Sequence, residues 1–426
     1  MAKRKGSTSG TLESIFLRLE ELVLANSGED EFEEIFKLLI AKIWDERKRT
    51  GLFRAGGSDQ EVAARISTLL KQVDIEWPGI VPAAAPRLTP EHLHVCVAAL
   101  ESHAVGNDTL EALDGFFEFL VARAAKGAKG QFFTPRHVIE LCIRMIEPQP
   151  HETVLDPACG SGGFLIHALH FVGRSLASPA SLTDYARGCL WGFDVDARAV
   201  RIAKTMLMMA AGVDANIFRS NSLVRPTMVS GIDDEVAITI EDVCRTRRRR
   251  HRGFDVIVTN PPFAGEVCEP NILQAYALSH GKKRIERDVL FIERCLELLR
   301  PGGRLGIVLP HNIMGSDSLR FVREWIVKKG RVLGAVGLGR NTFLPHTHQK
   351  ASLLFVQRED ARVTDYNIFF AVSERDGKNS KGQIKRKVAA AGGDVYWNGV
   401  DHDFLDILDA FQAFCRKEGV QTAGAA

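Results

Sequence analysis

Val154-Leu155-Asp156-Pro157-Ala158-Cys159-Gly160-Ser161-Gly162-Gly163-Phe164 is the stretch that decides the fold. It reads as a buried strand, a glycine-rich turn and the start of a helix at Phe164. Glycine takes positive φ and lets a ligand come close to the backbone. In an open α/β sheet, ligands bind at the carboxyl ends of the strands. A dinucleotide fingerprint would put a third glycine three positions after Gly162, where Leu165 stands, and a ribose-binding acid about 20 residues on. The next acid that ends a strand is instead Asp194, in Gly192-Phe193-Asp194-Val195-Asp196, 38 positions after Asp156. That argues against a dinucleotide, and the absent Walker lysine argues against a P-loop. Asp194 can accept both hydroxyls of a ribose, whereas Asp196 suits the N-cap of the helix that follows.

Outward from this stretch, short apolar strands alternate with helices. Strands are predicted over 153–156, 189–194, 254–260, 304–310 and 332–338, with helices over 164–172, 199–210, 289–299 and 319–328. The alternation implies an α/β fold, a mostly parallel sheet with helices on both faces. Strands at 351–358 and 367–372 have no helix between them and are expected to pair antiparallel with each other. Upstream the period is helical: Leu12, Ile15, Phe16 and Leu19 repeat it, as do Phe32, Ile35, Phe36, Leu39 and Ile43. Thr89 and Pro90 read as N-cap and first residue of another helix. The expected layout is a tail at 1–10, an all-α N-terminal domain at 11–126, the α/β domain at 127–375 and a C-terminal extension at 376–426.

With 426 residues, roughly two to three domains are expected. Lys+Arg 55 against Asp+Glu 53 leaves a net charge of +2, which excludes a globally basic packaging protein but not a local basic groove. No apolar run approaches the ~18 residues a membrane helix needs. The eight cysteines include no CxxC pair, so no zinc site is expected and a reducing, cytoplasmic location is.

A second segment carries chemistry: Asp255-Val256-Ile257-Val258-Thr259-Asn260-Pro261-Pro262-Phe263. A buried strand ends in Asn260, two prolines and an aromatic ring. The prolines fix φ and remove two N–H donors, leaving carbonyls outward. Asn260 supplies an acceptor beside the Pro261 carbonyl and Phe263 a flat face, a combination suited to a planar group bearing an NH2.

Together these two segments resemble motifs I and IV of the S-adenosylmethionine-dependent amino-methyltransferases. Gly130-Gln131-Phe132-Phe133-Thr134-Pro135 resembles the motif that precedes motif I in the N6-adenine DNA methyltransferases. The order of motifs and the helical N-terminal region are similar to the modification subunit of type I restriction–modification systems, over roughly residues 10 to 400. The resemblance implies a Rossmann-like methyltransferase domain and transfer of methyl from S-adenosylmethionine to adenine N6 in double-stranded DNA. Phe133, Thr134 and Pro135 would then face the methionyl part of the cofactor. Asp156, Pro157, Gly160, Ser161 and Gly162 would line it and Asp194 would hold the ribose. Asn221 stands where the family often has an Asp contacting the cofactor's adenine amine, and its carbonyl oxygen can still accept that bond. Asn260, Pro261, Pro262 and Phe263 would take the flipped base. Motif IV is shared with protein-glutamine and rRNA methyltransferases. A protein-glutamine or RNA N-methyltransferase is therefore the rival enzyme, and a catalytically silent cofactor- or DNA-binding subunit of a defence complex is the non-enzymatic one.

Three features stand apart. Arg245-Thr246-Arg247-Arg248-Arg249-Arg250-His251-Arg252 closes an insertion and would either hold DNA phosphates or form a solvated loop. His311, His346 and His348 lack acids at ligand spacing and read as structural or substrate-proximal. Phe404, Leu405, Ile407, Leu408, Phe411 and Phe414 form an apolar stripe that either packs on its own domain or docks on a partner. Neither the stretch between Phe263 and Arg304 nor the residues after Val372 can hold a recognition domain of about 100 residues. The resemblance supplies what that leaves out: a separate specificity subunit, with two copies of this chain per complex, while attachment of a restriction subunit stays open.

Overall fold

The computed structural model describes residues 12–21, 27–81, 85–105, 116–117, 119, 134–228, 238–246, 253–263, 265–387, 397 and 399–420. The chain divides into two units, Met1–Gly127 and Ala128–Ala426. Among the described residues the first unit is helical: α1 (Leu12–Leu19), α2 (Glu31–Lys48), α3 (Asp59–Glu76) and α4 (Pro90–Glu101). Local chemistry starts each of the last three. Asp30 accepts from Glu33 N–H ahead of α2, Ser58 and Glu61 form a capping box ahead of α3, and Thr89 accepts from His92 N–H with Pro90 at the first turn of α4. Phe36 and Phe117 meet at 5.8 Å in the unit's core.

The second unit runs α5 (Arg136–Ile146), β1 (Val154–Asp156), α6 (Gly163–Gly173), α7 (Pro179–Cys189), β2 (Leu190–Asp194), α8 (Ala197–Ala211), β3 (Asn216–Arg219), α9 (Ile240–Thr246) and β4 (Phe254–Thr259). It continues with β5 (Glu266–Val267), α10 (Pro270–Ala275), β6 (Ile285–Glu286), α11 (Arg287–Leu298), β7 (Leu299–Pro310), α12 (Asn312–Gly315), α13 (Arg320–Lys329), β8 (Gly330–Gly337), β9 (Ala351–Arg358), β10 (Phe369–Val372) and α14 (Phe404–Glu418). Among the described residues eight strands form one sheet in the order β10-β8-β9-β7-β4-β1-β2-β3. All pairs are parallel except the two that β9 makes, with β7 and β8. This is the expected mostly parallel, Rossmann-like α/β sheet.

The topology dictates where a ligand can sit. From β1 the chain winds outward through β2 to β3, then returns to the other side of β1 as β4. The helices on either side of that reversal diverge, and the crevice they leave lies at the carboxyl ends of β1 and β4. Those ends carry Asp156 and Thr259-Asn260.

One expectation is corrected. Strand β10 does not pair with β9; it pairs parallel with β8, Phe369 opposite Gly334 and Val372 opposite Gly337. Strand β9 is inserted between β7 and β8 and both its edges are taken, so β10 joins the sheet at the outer edge of β8 instead. The strand β3 and the helix α7 are additions to the predicted elements.

The C-terminal stripe packs on its own unit: Phe404, Ile407, Leu408 and Phe411 are buried, and Leu405 and Phe414 half-buried. Phe411 meets Phe355 of β9 at 6.0 Å and Phe369 of β10 at 5.3 Å, while Phe404 stacks 5.6 Å from His137 of α5. That face of α14 is therefore covered by its own unit and is not open to a partner's helix.

Candidate functional site

Three loops, following β1, β2 and β3, are tied to one another at the carboxyl edge. Gly160 and Gly162 both adopt left-handed backbone, with φ of 52° and 88°. Gly162 needs to be glycine on a second count: a Cβ there would stand 3.2 Å from Cβ of Ala203 on α8. At Gly160 nothing lies within 4 Å of where a Cβ would be, so the crest of the turn borders open space. Asp194 holds this crest. Its Oδ2 accepts from Gly160 N–H at 2.9 Å and its Oδ1 from Asp196 N–H at 2.9 Å. Asp196 caps α8, accepting from Arg198 N–H and Ala199 N–H, as its position predicts. From the third loop, the Ser222 hydroxyl donates to the Pro157 carbonyl at 2.5 Å. Asn221 Oδ1 accepts from Leu223 N–H at 3.1 Å, so the atom expected to meet an adenine amine also closes its own turn. Ser161 is buried in the turn.

Thr134 and Pro135 arrive from a different direction. Pro135 precedes the first turn of α5, and that turn packs on the start of α6: a Cβ on Gly163 would stand 2.5 Å from an Arg136 guanidinium nitrogen and 3.0 Å from Ile139 Cδ1. This brings the segment to the helix that leaves the glycine turn. Phe133 lies outside the described residues.

On the other side of the crevice Asn260, half-buried, follows the last residue of β4. Pro261 is buried and Pro262 half-buried. Phe263, 8% exposed, meets Phe343 edge-on at 5.6 Å. Phe343 is a residue that motif reading alone does not bring to the site, because it follows β8, distant in sequence. Thr259 is another. Its hydroxyl faces the Asp156 carboxylate across the β1–β4 pair and favours its charged form.

Burial dominates the electrostatics. Asp156 is 1% exposed, and desolvation pushes its carboxyl up to about 7, opposed by the nearby Thr259 hydroxyl and by the hydrogen bond from Ala158 N–H. Asp194 is also raised by desolvation, and its carboxylate disfavours charge on Asp156. Asp288, in the first turn of α11, is likewise pushed up to about 7 by burial. A raised carboxyl keeps its proton in the fold after the unfolded chain has released it. The stability this contributes is fully present below about pH 4 and is lost as pH rises through about 7. Asp156→Asn fixes the neutral form. Its stability relative to wild type is expected to rise from pH 5 and to level off above about pH 7 in urea denaturation. A difference that stays constant across that range would show that Asp156 ionises as freely in the fold as outside it.

The remaining candidates fall elsewhere. His311 Nδ1 lies 2.8 Å from Ser352 Oγ, and His346 is lowered by burial. Among the described residues no cluster of three His, Cys, Asp or Glu is arranged to hold a metal. Of the basic run, Arg245 pairs with Asp242 at 3.3 Å, and residues 247–252 lie outside the described residues. No helix among the described residues is long and apolar enough to cross a membrane.

Comparison with known proteins places this geometry. A family model described as N-6 DNA Methylase matches residues 109–406. The EcoEI type I restriction enzyme methylase subunit of Escherichia coli is 27% identical over 231 residues, 54% of this chain and 42% of that protein. The StySPI methylase subunit of Salmonella potsdam is 28% identical over 208 residues, 48% of this chain and 36% of that one. The chain thus spans less than half the length of these relatives. Among solved structures, the methyltransferase subunit of a type I restriction-modification system from Streptococcus thermophilus matches with a TM-score of 0.57 at 16% identity, covering 88% of this chain and 74% of that one. At that identity the likeness is one of fold.

Proposed function

The chain belongs to the N-6 DNA methylase family, and from that premise we propose that it transfers a methyl group from S-adenosylmethionine to the N6 amine of adenine in double-stranded DNA. One observation carries the reading: the glycine turn after β1 and the Asn260–Phe263 loop after β4 flank the same switch-point crevice, so a methyl donor and an amine bound to them would meet. The residues fit the donor. The turn crest is open at Gly160, the Asp194 carboxylate stands at the end of β2 where ribose hydroxyls would reach it, and Thr134 and Pro135 flank the far end.

Bound S-adenosylmethionine would supply an electrophilic methyl group. The N6 amine of adenine is a weak nucleophile because its lone pair is delocalised into the ring. Asn260 Oδ1 and the Pro261 carbonyl would each accept an N6–H, favouring a pyramidal nitrogen whose lone pair points along the crevice. Holding the two reactants in line converts a bimolecular step into an intramolecular one, which supplies most of the rate. The base must leave the helix stack to reach this loop, and Phe263 would stack on it.

The relatives' names, each a methylase subunit of a type I restriction enzyme, support a subunit role. In that role a separate specificity subunit supplies sequence choice, a second copy of this chain completes the modification complex and a restriction subunit can join. The test is sequencing of cellular DNA for N6-methyladenine with and without this chain, in cells carrying its neighbouring subunits. Methylation at one defined motif that disappears with the chain is expected. An unchanged N6-methyladenine map, with methylated glutamine or RNA in its place, would overturn the reading.

A further inference from the structure

At the same carboxyl edge, beyond β7, a cavity of about 390 Å³ opens between the residues that follow β8 and β10. Five cations line it (Arg340, Lys350, Arg375, Lys378 and Lys385) against three acids, Glu374, Asp376 and Asp401. Two of the acids are already engaged. Asp376 is buried, with Oδ2 accepting from Asn341 N–H at 2.8 Å and Oδ1 from Lys378 N–H at 3.2 Å. Asp401 pairs with Arg375 at 3.4 Å. Among the described residues Arg340, Lys350 and Lys385 have no carboxylate partner, and all three are exposed. The floor is closely packed: a Cβ on Gly339 would stand 2.6 Å from Cβ of Asp376, so the 339–341 backbone lies directly on that side chain. From the other side His137 Nε2 sits 2.9 Å from the Asp376 carbonyl oxygen.

We propose that this cavity holds a phosphodiester of the DNA backbone close to the flipped adenine. The inference rests on the DNA reading above and adds a site to it. Among the described residues the lining contains no aromatic ring and no apolar side chain, so it suits neither a base nor a hydrophobic segment. Unpaired Arg and Lys side chains around a closely packed floor suit an anion, and the guanidinium fork of Arg340 matches two oxygens of one phosphate. Its location gives the nucleotide. Three residues after Arg340 the chain reaches Phe343, whose ring meets Phe263 at 5.6 Å. An anion held by Arg340 would therefore sit on the loop whose Phe343 backs Phe263, close to the ring that would take the base.

The test uses the full chain with the subunits it is purified with, and an Arg340→Ala, Lys350→Ala, Lys385→Ala triple variant. These side chains are exposed, so an unchanged melting temperature is expected. DNA affinity should fall equally on all sequences. The slope of log affinity against log salt should become shallower by about 1 for each phosphate released. KM for DNA should rise about 10-fold or more, with kcat and cofactor affinity within about 2-fold of wild type. Duplexes with a single neutral methylphosphonate then locate the contact: one position near the target should weaken wild type and leave the variant indifferent. An unchanged salt slope, or a methylphosphonate effect that persists in the variant, overturns the proposal. Loss of subunit assembly with DNA affinity intact also overturns it, reassigning the cavity to an acidic protein surface. Wild type that binds DNA without methylating it, with the variant binding more weakly, would sink the catalytic reading and leave the cavity standing.

Discussion

Asn260→Ala is expected to lower methyl transfer by about 10³-fold, the scale of losing one preorganised hydrogen-bonding group aimed at a reacting centre, while S-adenosylmethionine affinity stays within about 2-fold. The two effects separate because of where Asn260 stands. It is the first residue beyond β4, across the switch-point crevice from the glycine turn. The hydrogen bonds that shape the turn come from within it, as Gly162 N–H to the Cys159 carbonyl, or from the loops after β2 and β3, where Asp194 accepts from Gly160 N–H and Ser222 donates to the Pro157 carbonyl. Truncating Asn260 leaves these untouched. The two prolines that follow fix the backbone, so the Pro261 carbonyl keeps its direction and the loss is confined to one acceptor. DNA KM should change little, because Phe263 and its neighbour Phe343 remain. Single-turnover kinetics and calorimetry on one preparation check both halves. Retained turnover would remove Asn260 from the chemistry, and lost cofactor binding would move it to the other side of the crevice.

Why the candidate site can be read from the sequence and parts of the fold cannot follows from the kind of constraint each residue carries. Gly160 and Gly162 are dictated by backbone geometry, and a left-handed turn between a buried strand and an apolar helix leaves few readings. Asn260-Pro261-Pro262-Phe263 is similarly local: four successive residues that put an acceptor, two carbonyls without N–H donors between them and a flat ring side by side, whatever the rest of the fold. Contacts made by chain reversal left no such mark. Phe343 reaches Phe263 only because β8 lies on the same edge of the sheet as β4, a fact of strand order. The pairing of β10 failed for the same reason. Its sequence carries the period of a strand, but its partner was decided by β9 occupying the place beside β7. The stripe on α14 shows the limit plainly: 3.6-residue periodicity announces that one face is covered and is silent on what covers it. The answer, Phe355 and Phe369, lies in two strands that are not neighbours in the sheet.

The largest stability effect is expected at a pair that neither motif contains. Arg304, in the central strand β7, and Glu152, two residues before β1, face each other with side chains 1% and 0% exposed. The pairing is bidentate, at 2.8 and 2.7 Å, and the same guanidinium donates to the carbonyls of Ile146 at 3.1 Å and Glu147 at 3.2 Å at the end of α5. One cation therefore fastens three elements: β7, the approach to β1 and the helix that begins after Thr134 and Pro135. Glu152→Ala leaves a buried guanidinium without its counter-charge and is expected to cost about 3–5 kcal/mol. Arg304→Leu strands the carboxylate and both carbonyls and should cost at least as much. The double variant Glu152→Ala, Arg304→Leu should lose less than the sum, because no charge is left buried alone. It should stay below wild type, because the Ile146 and Glu147 carbonyls still lack their donor, at about 1–3 kcal/mol each for a buried unsatisfied group. Urea denaturation of the four proteins closes the cycle. A Glu152→Ala loss under about 1 kcal/mol, or strictly additive singles, would mean that water reaches the pair and that α5 is held to the sheet by apolar packing alone.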